Sequence, residues 1–174
     1  LKRAGADKDY TAEEMQKVQA LDKVITQEEK DELVDTIIVK TQGFINGNIK
    51  EGDQNPVAIF GRLLKLYDGI DRDRLRENLR YFLSAIMPVC DEWDSNRCIH
   101  PDDPPYQVLG LPRIVTSGED IDWFLRAVNN PHNGFTFCAG SLSAGLHNDV
   151  PELARRFASR THFVHLRSTD AFPD

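Results

Sequence analysis

Two imidazoles and one thiol, those of His100, Cys138 and His165, each stand at or near the end of a short apolar run in the last third of the chain. Neutral imidazole and thiolate are donors for borderline divalent metals, and three such groups leave positions open for a carboxylate and for substrate oxygens. The runs are Arg97-Cys98-Ile99-His100, Gly134-Phe135-Thr136-Phe137-Cys138 and Thr161-His162-Phe163-Val164-His165-Leu166-Arg167. Each is short, rich in aromatic or β-branched residues and bounded by Gly, Pro, Asn or Ser, which predicts a strand. Taken singly, a strand-end histidine is more often hydrogen-bonded than ligating, and a buried cysteine is usually inert packing. Three such residues at corresponding positions set metal binding against that bland reading on equal terms.

Helical patterns lie between the runs, and this alternation is the signature of βαβ units in a parallel sheet. Side chains alternate across a strand. In an α/β barrel the outer face meets helices, while the inner face carries the site at the C-terminal strand ends. One choice of face per strand turns Phe135, Phe137, Val164, Leu166 and Ile99 outward. The same choice turns His100, Cys138 and His165 inward. The intervals along the chain, 38 and 27 residues, both suit one βα unit per step. His162 shares the aliphatic face of its strand and is expected against a helix or at the surface. His132 and His147 are expected in solvated loops on the side that holds the site.

The elements that must position these groups are legible from their caps. Thr11 with Glu14, Thr26 with Glu29 and Ser117 with Asp120 match the capping box. They predict helices over about 12–22, 27–41 and 118–128, the last with Ile121, Trp123, Phe124 and Val128 on its apolar side. Residues 43–55 read as a polar loop, and Pro56 as the first position of a helix reaching about Tyr67. The longest helix begins near Asp71, with Leu75, Leu79, Phe82, Leu83, Ile86 and Cys90 forming one stripe and Pro88 predicting a kink. Asn148, with Pro151 in the first turn, predicts a cap for a helix over about 149–159. The expected organisation is a helical segment over 1–93 and parallel βα units over 94–174, within one domain.

The chain has 174 residues, 28 acidic against 21 basic, and a net charge of -7. A diffuse acidic surface argues against nucleic acid and anionic membrane as partners. No apolar run approaches the ~20 residues of a membrane helix, and the first residues lack a signal-peptide pattern. The three widely spaced cysteines fit free thiols in a reducing cytoplasm.

Several stretches carry a family resemblance: HPDDPP and LGLPRIV (100–105 and 109–115), NGFTFCAGS (133–141), NDVPEL (148–153) and HFVHLRST (162–169). The opening LKRAGADKDYTAEE and the helical DRDRLRENLRYFL belong to the same pattern. In these the chain resembles the mannonate dehydratases of hexuronate breakdown. The resemblance implies an α/β fold, a (β/α)8 TIM barrel of the xylose-isomerase type with an N-terminal helical segment. It implies a hydro-lyase that removes water from D-mannonate to give 2-dehydro-3-deoxy-D-gluconate with Mn2+ or Fe2+. A sugar-acid substrate and a homo-oligomer, a dimer, are the expected partners. The family's ligand set maps onto His100, Cys138 and His165. Its acidic fourth ligand, and the Tyr and His associated with proton transfer, lie on later segments, so this chain is expected to be a middle portion that is inactive alone. Asp170 and Asp174 are expected to be solvated.

Around the ligands, each assignment has two readings. Arg167 shares the face of His165 and offers a fork for a substrate carboxylate, or a salt bridge at the barrel rim. Asp102 and Asp103 accept hydrogen bonds from sugar hydroxyls, or orient a metal-binding histidine. Asn133 and Ser141 contact substrate, or serve turns. The rival functions are a divalent-metal sugar or sugar-acid isomerase on the same barrel, and an inactive segment serving as a binding or structural unit.

Overall fold

Helix starts fall where hydroxyl or carboxylate side chains satisfy the free N–H groups of a first turn. A computed structural model describes residues 10–37 and 56–169. Within them the order is α1 (Ala12–Asp22), α2 (Gln27–Val34), α3 (Pro56–Lys65), α4 (Arg72–Glu92), β1 (Arg97–Ile99), α5 (Gly118–Ala127), β2 (Asn133–Cys138), a short α6 (Ala139–Ser143), α7 (Val150–Phe157), a 3-10 turn (Ala158–Arg160) and β3 (Thr161–His165). The polar loop expected over 43–55, and the end of the helix expected to reach residue 41, lie outside the described residues, as do Asp170 and Asp174.

The chain forms two compact units, one of residues 1–69 with Leu109–Leu111, the other of 70–108 with 112–174. The second begins before α4, so the longest helix belongs with the sheet rather than with the preceding helices. The reason is its stripe: Leu83 and Met87 are buried, and Leu75, Leu79, Ile86 and Cys90 pack beside them. Phe82 departs from the expected stripe and lies exposed, with the Arg97 guanidinium over its ring. The helix continues through Pro88 to Glu92.

In the first unit both expected capping boxes form. The Thr11 hydroxyl accepts from the Glu14 amide and Glu14 returns to the Thr11 amide, and Thr26 with Glu29 repeats the exchange. Phe60 and Leu64 of α3 are buried with Val34, Ile59, Leu109 and Leu111 beside them. The Glu14 and Glu29 carboxyls are held below their ordinary value of 4.5, first by the backbone amides of Thr11 and Thr26 and then by their hydroxyls. A carboxyl lowered in the folded state stabilises the cap at pH above its unfolded value, and that contribution fades as pH falls through the folded value. NMR titration of the side-chain carboxyls is expected to show both below 4.5. Thr11→Ala removes the hydroxyl but keeps the backbone amide, so it should raise Glu14 only part of the way back and leave Glu29 where it was.

The second unit is built on a three-stranded sheet in the order β1-β2-β3, both pairs parallel, as the alternation of elements predicts. Strand β2 is central and buried along its whole length. Its outward residues Phe135 and Phe137 meet Ile121, Phe124, Leu153 and Phe157 from the covering helices in one core. Strand β3 is half-buried at its start and exposed from Phe163 onward. Val164 and Leu166, expected against helices, are therefore open, Leu166 at 85% exposure.

Two caps differ from expectation. Ser117 caps α5 through the Asp120 amide, but the Asp120 side chain turns inward instead of back to Ser117. Fully buried, it accepts from the Thr116 amide and hydroxyl and pairs with Arg72 and Arg76. Two cations and two neutral donors satisfy that carboxylate better than the single amide of a capping box. At α7 the cap is Asp149, not Asn148, whose side-chain amide binds the Thr116 and Leu142 carbonyls and ties two loops together. Among the described residues, no helix is long and apolar enough to cross a membrane.

Candidate metal centre

Parallel strands deliver their C-terminal ends to one edge of the sheet, and there the structure brings His100, Cys138 and His165 together. One ligand atom from each lies within 4.8 Å of the others. Cys138 and His165 are direct partners in the β2–β3 register, and the His100 and His165 rings are 5.2 Å apart between centroids. The thiol is buried, whereas both imidazoles reach solvent. Such a group is closed on the protein side and open to a ligand.

Two of the three donors, His100 and Cys138, are prepared by their neighbours. His100 Nδ1 lies 2.7 Å from the Pro101 carbonyl, which makes Nδ1 the donor and leaves the Nε2 lone pair available. Pro101 is held by the next residue: Asp102 Oδ2 accepts from the Ile114 and Val115 amides, each at 2.8 Å, and the Asp102 amide donates to the Val115 carbonyl. At Cys138, burial alone would raise the thiol. Hydrogen bonds from Ser141, Arg167 and His165 outweigh it and bring the thiol from 9.0 down to about 6. The Ser141 hydroxyl is 3.2 Å from Sγ and Arg167 Nε is 3.4 Å from it. The Ser141 hydroxyl also lies 3.0 Å from Asp103 Oδ2, and Arg167 Nη2 bonds both Ser141 and Asp103. Burial would likewise raise Asp103, but Arg167 and Ser141 hold it below the usual carboxylate range.

The expected surroundings are thus reassigned in part. Of the two readings of Arg167, these contacts realise the salt bridge, with Asp103 as partner. Ser141 lies beside the thiol and is fully buried. Asp102 anchors a loop through backbone amides. Asn133 is not at the site: it starts β2, five residues before Cys138 and at the opposite end of the strand. It is fully buried, and its amide donates to the Phe124 and Val128 carbonyls at the end of α5. His132 is displaced for the same reason. It precedes β2, and its ring meets Asn96, with Asp91 and Asp94 3.9 Å away, at the N-terminal edge of the sheet. His147 is exposed in the loop after α6.

His162 also departs from expectation. Phe135 pairs with Thr161 and Thr136 with Phe163, so β3 bulges at His162. Its ring sits over Gly134, which shares the face of Cys138, and Nε2 bonds the Pro131 carbonyl at 3.0 Å. What keeps His162 from the donor group is its position along the strand, not its face. Sequence reasoning missed the Pro101 carbonyl, Gly140 and the Asp103–Arg167 pair. The spacing of Ser141, three residues after Cys138 at a helix start, was a usable signal for its contact.

A parallel α/β protein with two imidazoles and a thiolate converging at its C-terminal strand ends defines a fold competent to hold a divalent ion. The comparisons give that class a family. The family model for D-mannonate dehydratase (UxuA) matches residues 4–173, and the chain belongs to this family. Mannonate dehydratases of Thermotoga petrophila and Thermotoga maritima are 42% identical over 140 residues, covering 79% of this chain and 38% of theirs. The crystal structure of mannonate dehydratase from Streptococcus suis serotype 2 aligns with a TM-score of 0.55 at 41% identity. That alignment covers 56% of this chain and 29% of that one. The chain therefore spans 38% of the length of these curated relatives.

Proposed function

We propose that the protein acts in the divalent-metal-dependent dehydration of D-mannonate to 2-dehydro-3-deoxy-D-gluconate. One observation carries the proposal: the three donors within 4.8 Å, at adjacent parallel strand ends, in a chain of this family. On this reading β1, β2 and β3 are consecutive staves of a (β/α)8 barrel whose inner face holds the site. His100, Cys138 and His165 hold the ion. The donor set fits: one histidine has its tautomer fixed by a carbonyl, and the sulfur is favoured as thiolate. Sulfur and nitrogen donors suit iron, and sugar-acid oxygens suit manganese, so Mn2+ or Fe2+ is the proposed metal.

Bound there, the ion supplies Lewis acidity to the oxygens of a hydroxy acid, easing loss of the proton beside the carboxylate and departure of hydroxide. The chain's own residues prepare the place. Pro101 and Asp102 fix His100, and Ser141 and Arg167 maintain the charge on Cys138. The exposed edges of His100 and His165 admit the substrate. The free thiols Cys90, Cys98 and Cys138 support a cytoplasmic location. Self-association as a dimer belongs to the same proposal.

The test is turnover of D-mannonate by the intact protein. A 2-keto-3-deoxy acid is expected to form, to stop forming under a chelator, and to return with Mn2+ or Fe2+. Metal-loaded protein that rearranges mannonate without loss of water would put an isomerase in its place.

A further inference from the structure

The side chain of Arg167 follows an unusual path. A Cβ on Gly140 would lie 2.5 Å from Arg167 Cγ and 2.6 Å from its Nε, so the side chain runs directly across the first turn of α6. Only a residue without a side chain leaves that corridor open. The corridor ends at Cys138 Sγ, where Nε points, while Nη2 bonds the Asp103 carboxylate and the Ser141 hydroxyl. Beyond Arg167, Thr169 bonds the Gly140 carbonyl at 2.9 Å and the Ser143 hydroxyl at 2.8 Å, fastening the same stretch to α6 from the far side. A guanidinium engaged with a thiol, a hydroxyl and a carboxylate, and fastened on both sides, is directed at the sulfur.

We propose that Arg167 is a positioning residue for Cys138. Laid across Gly140 and pinned by Asp103, it fixes the direction of the sulfur and, with Ser141, supplies hydrogen bonds to it from outside the donor group. This rests on the metal reading of His100, Cys138 and His165, and it replaces the substrate-clamp role for Arg167. A hydrogen bond from a cation lowers the energy of the sulfur lone pair. Removing it should make the sulfur a stronger electron donor but a less firmly placed one. Outer hydrogen bonds of this kind typically change metal affinity by about 10–100-fold.

Cobalt(II) is the probe, because its bond to thiolate gives an intense near-ultraviolet charge-transfer band. Wild-type protein is expected to show the band and Cys138→Ser to lack it. Arg167→Met is expected to bind Co2+ about 10–100-fold more weakly, with the band moved to longer wavelength. Arg167→Lys, which keeps the charge but not the fork, should recover part of both losses. Gly140→Ala keeps the arginine but blocks its corridor, so it should behave as Arg167→Met. Thermal melts of the variants separate these effects from loss of fold, since a merely structural arginine would lower the melting temperature without moving the band. Wild-type affinity and band position in both Arg167→Met and Gly140→Ala would overturn the proposal. A raised KM for mannonate with an unmoved band would also overturn it and return Arg167 to the substrate. A wild-type protein that binds no Co2+ through thiolate would overturn the metal reading itself, and this inference with it.

Discussion

Replacing His165 with alanine is expected to abolish the proposed metal binding, whereas replacing His162, on the same strand, should leave it in place. His165 pairs in register with Cys138 and supplies one of the three converging atoms. Removing one donor of three costs more than any outer contact, so the loss should exceed about 100-fold in affinity. It should also free Cys138 from a hydrogen bond that favours its thiolate. His162 lies at the bulge, with its ring over Gly134 and its Nε2 on the Pro131 carbonyl. The rise of about 3.3 Å per residue places Gly134 some 13 Å from Cys138 along β2, well beyond a metal–nitrogen bond of about 2.1 Å. Metal analysis after dialysis against a weak chelator reads the difference directly. Metal lost from His162→Ala and kept by His165→Ala would mean that the register of β3 is wrong.

This contrast also shows how much of the molecule was legible in advance. The period of two places Phe135 and Phe137 in the core and Cys138 on the other face, because steric alternation is a local rule that tertiary context rarely breaks. The donor group followed from that rule and the parallel order of the strands. His162 did not, because a bulge is one extra residue whose presence depends on the partner strand. Asn133 and His132 were misplaced for a different reason. Both adjoin the Cys138 strand in sequence, but a strand has two ends, and residues before it lie at the end away from the site. The Asp103–Arg167 pair joins segments far apart in the chain, and no local pattern reports such a meeting. Asp120 shows the same limit: its spacing from Ser117 announces a capping box, and two arginines on another helix claim the carboxylate instead.

The position least tolerant of change should be Gly134. A Cβ there would lie 2.1 Å from the His162 ring and 2.4 Å from the Arg160 carbonyl oxygen. The ring can be trimmed away, but the carbonyl is backbone at the turn that leads into β3. Arg160 is itself bound through its guanidinium to the Asn133 carbonyl, so the turn has little freedom to retreat. Gly134→Ala must therefore push β3 away from β2, and with it His165 from Cys138. Overpacking of this kind costs about 1–3 kcal/mol where side chains can yield, and more where backbone must. About 3 kcal/mol or more is expected here, a large share of the ~5–15 kcal/mol that holds a domain. Gly69 is the control: its φ is +76° and nothing lies within 4 Å of its Cβ direction, so alanine there should cost only about 1 kcal/mol. Urea midpoints should separate the two variants, and the double variant Gly134→Ala, His162→Ala should recover only the part due to the ring. A Gly134→Ala midpoint equal to that of Gly69→Ala would show that β2 and β3 do not approach as closely as the structure has them.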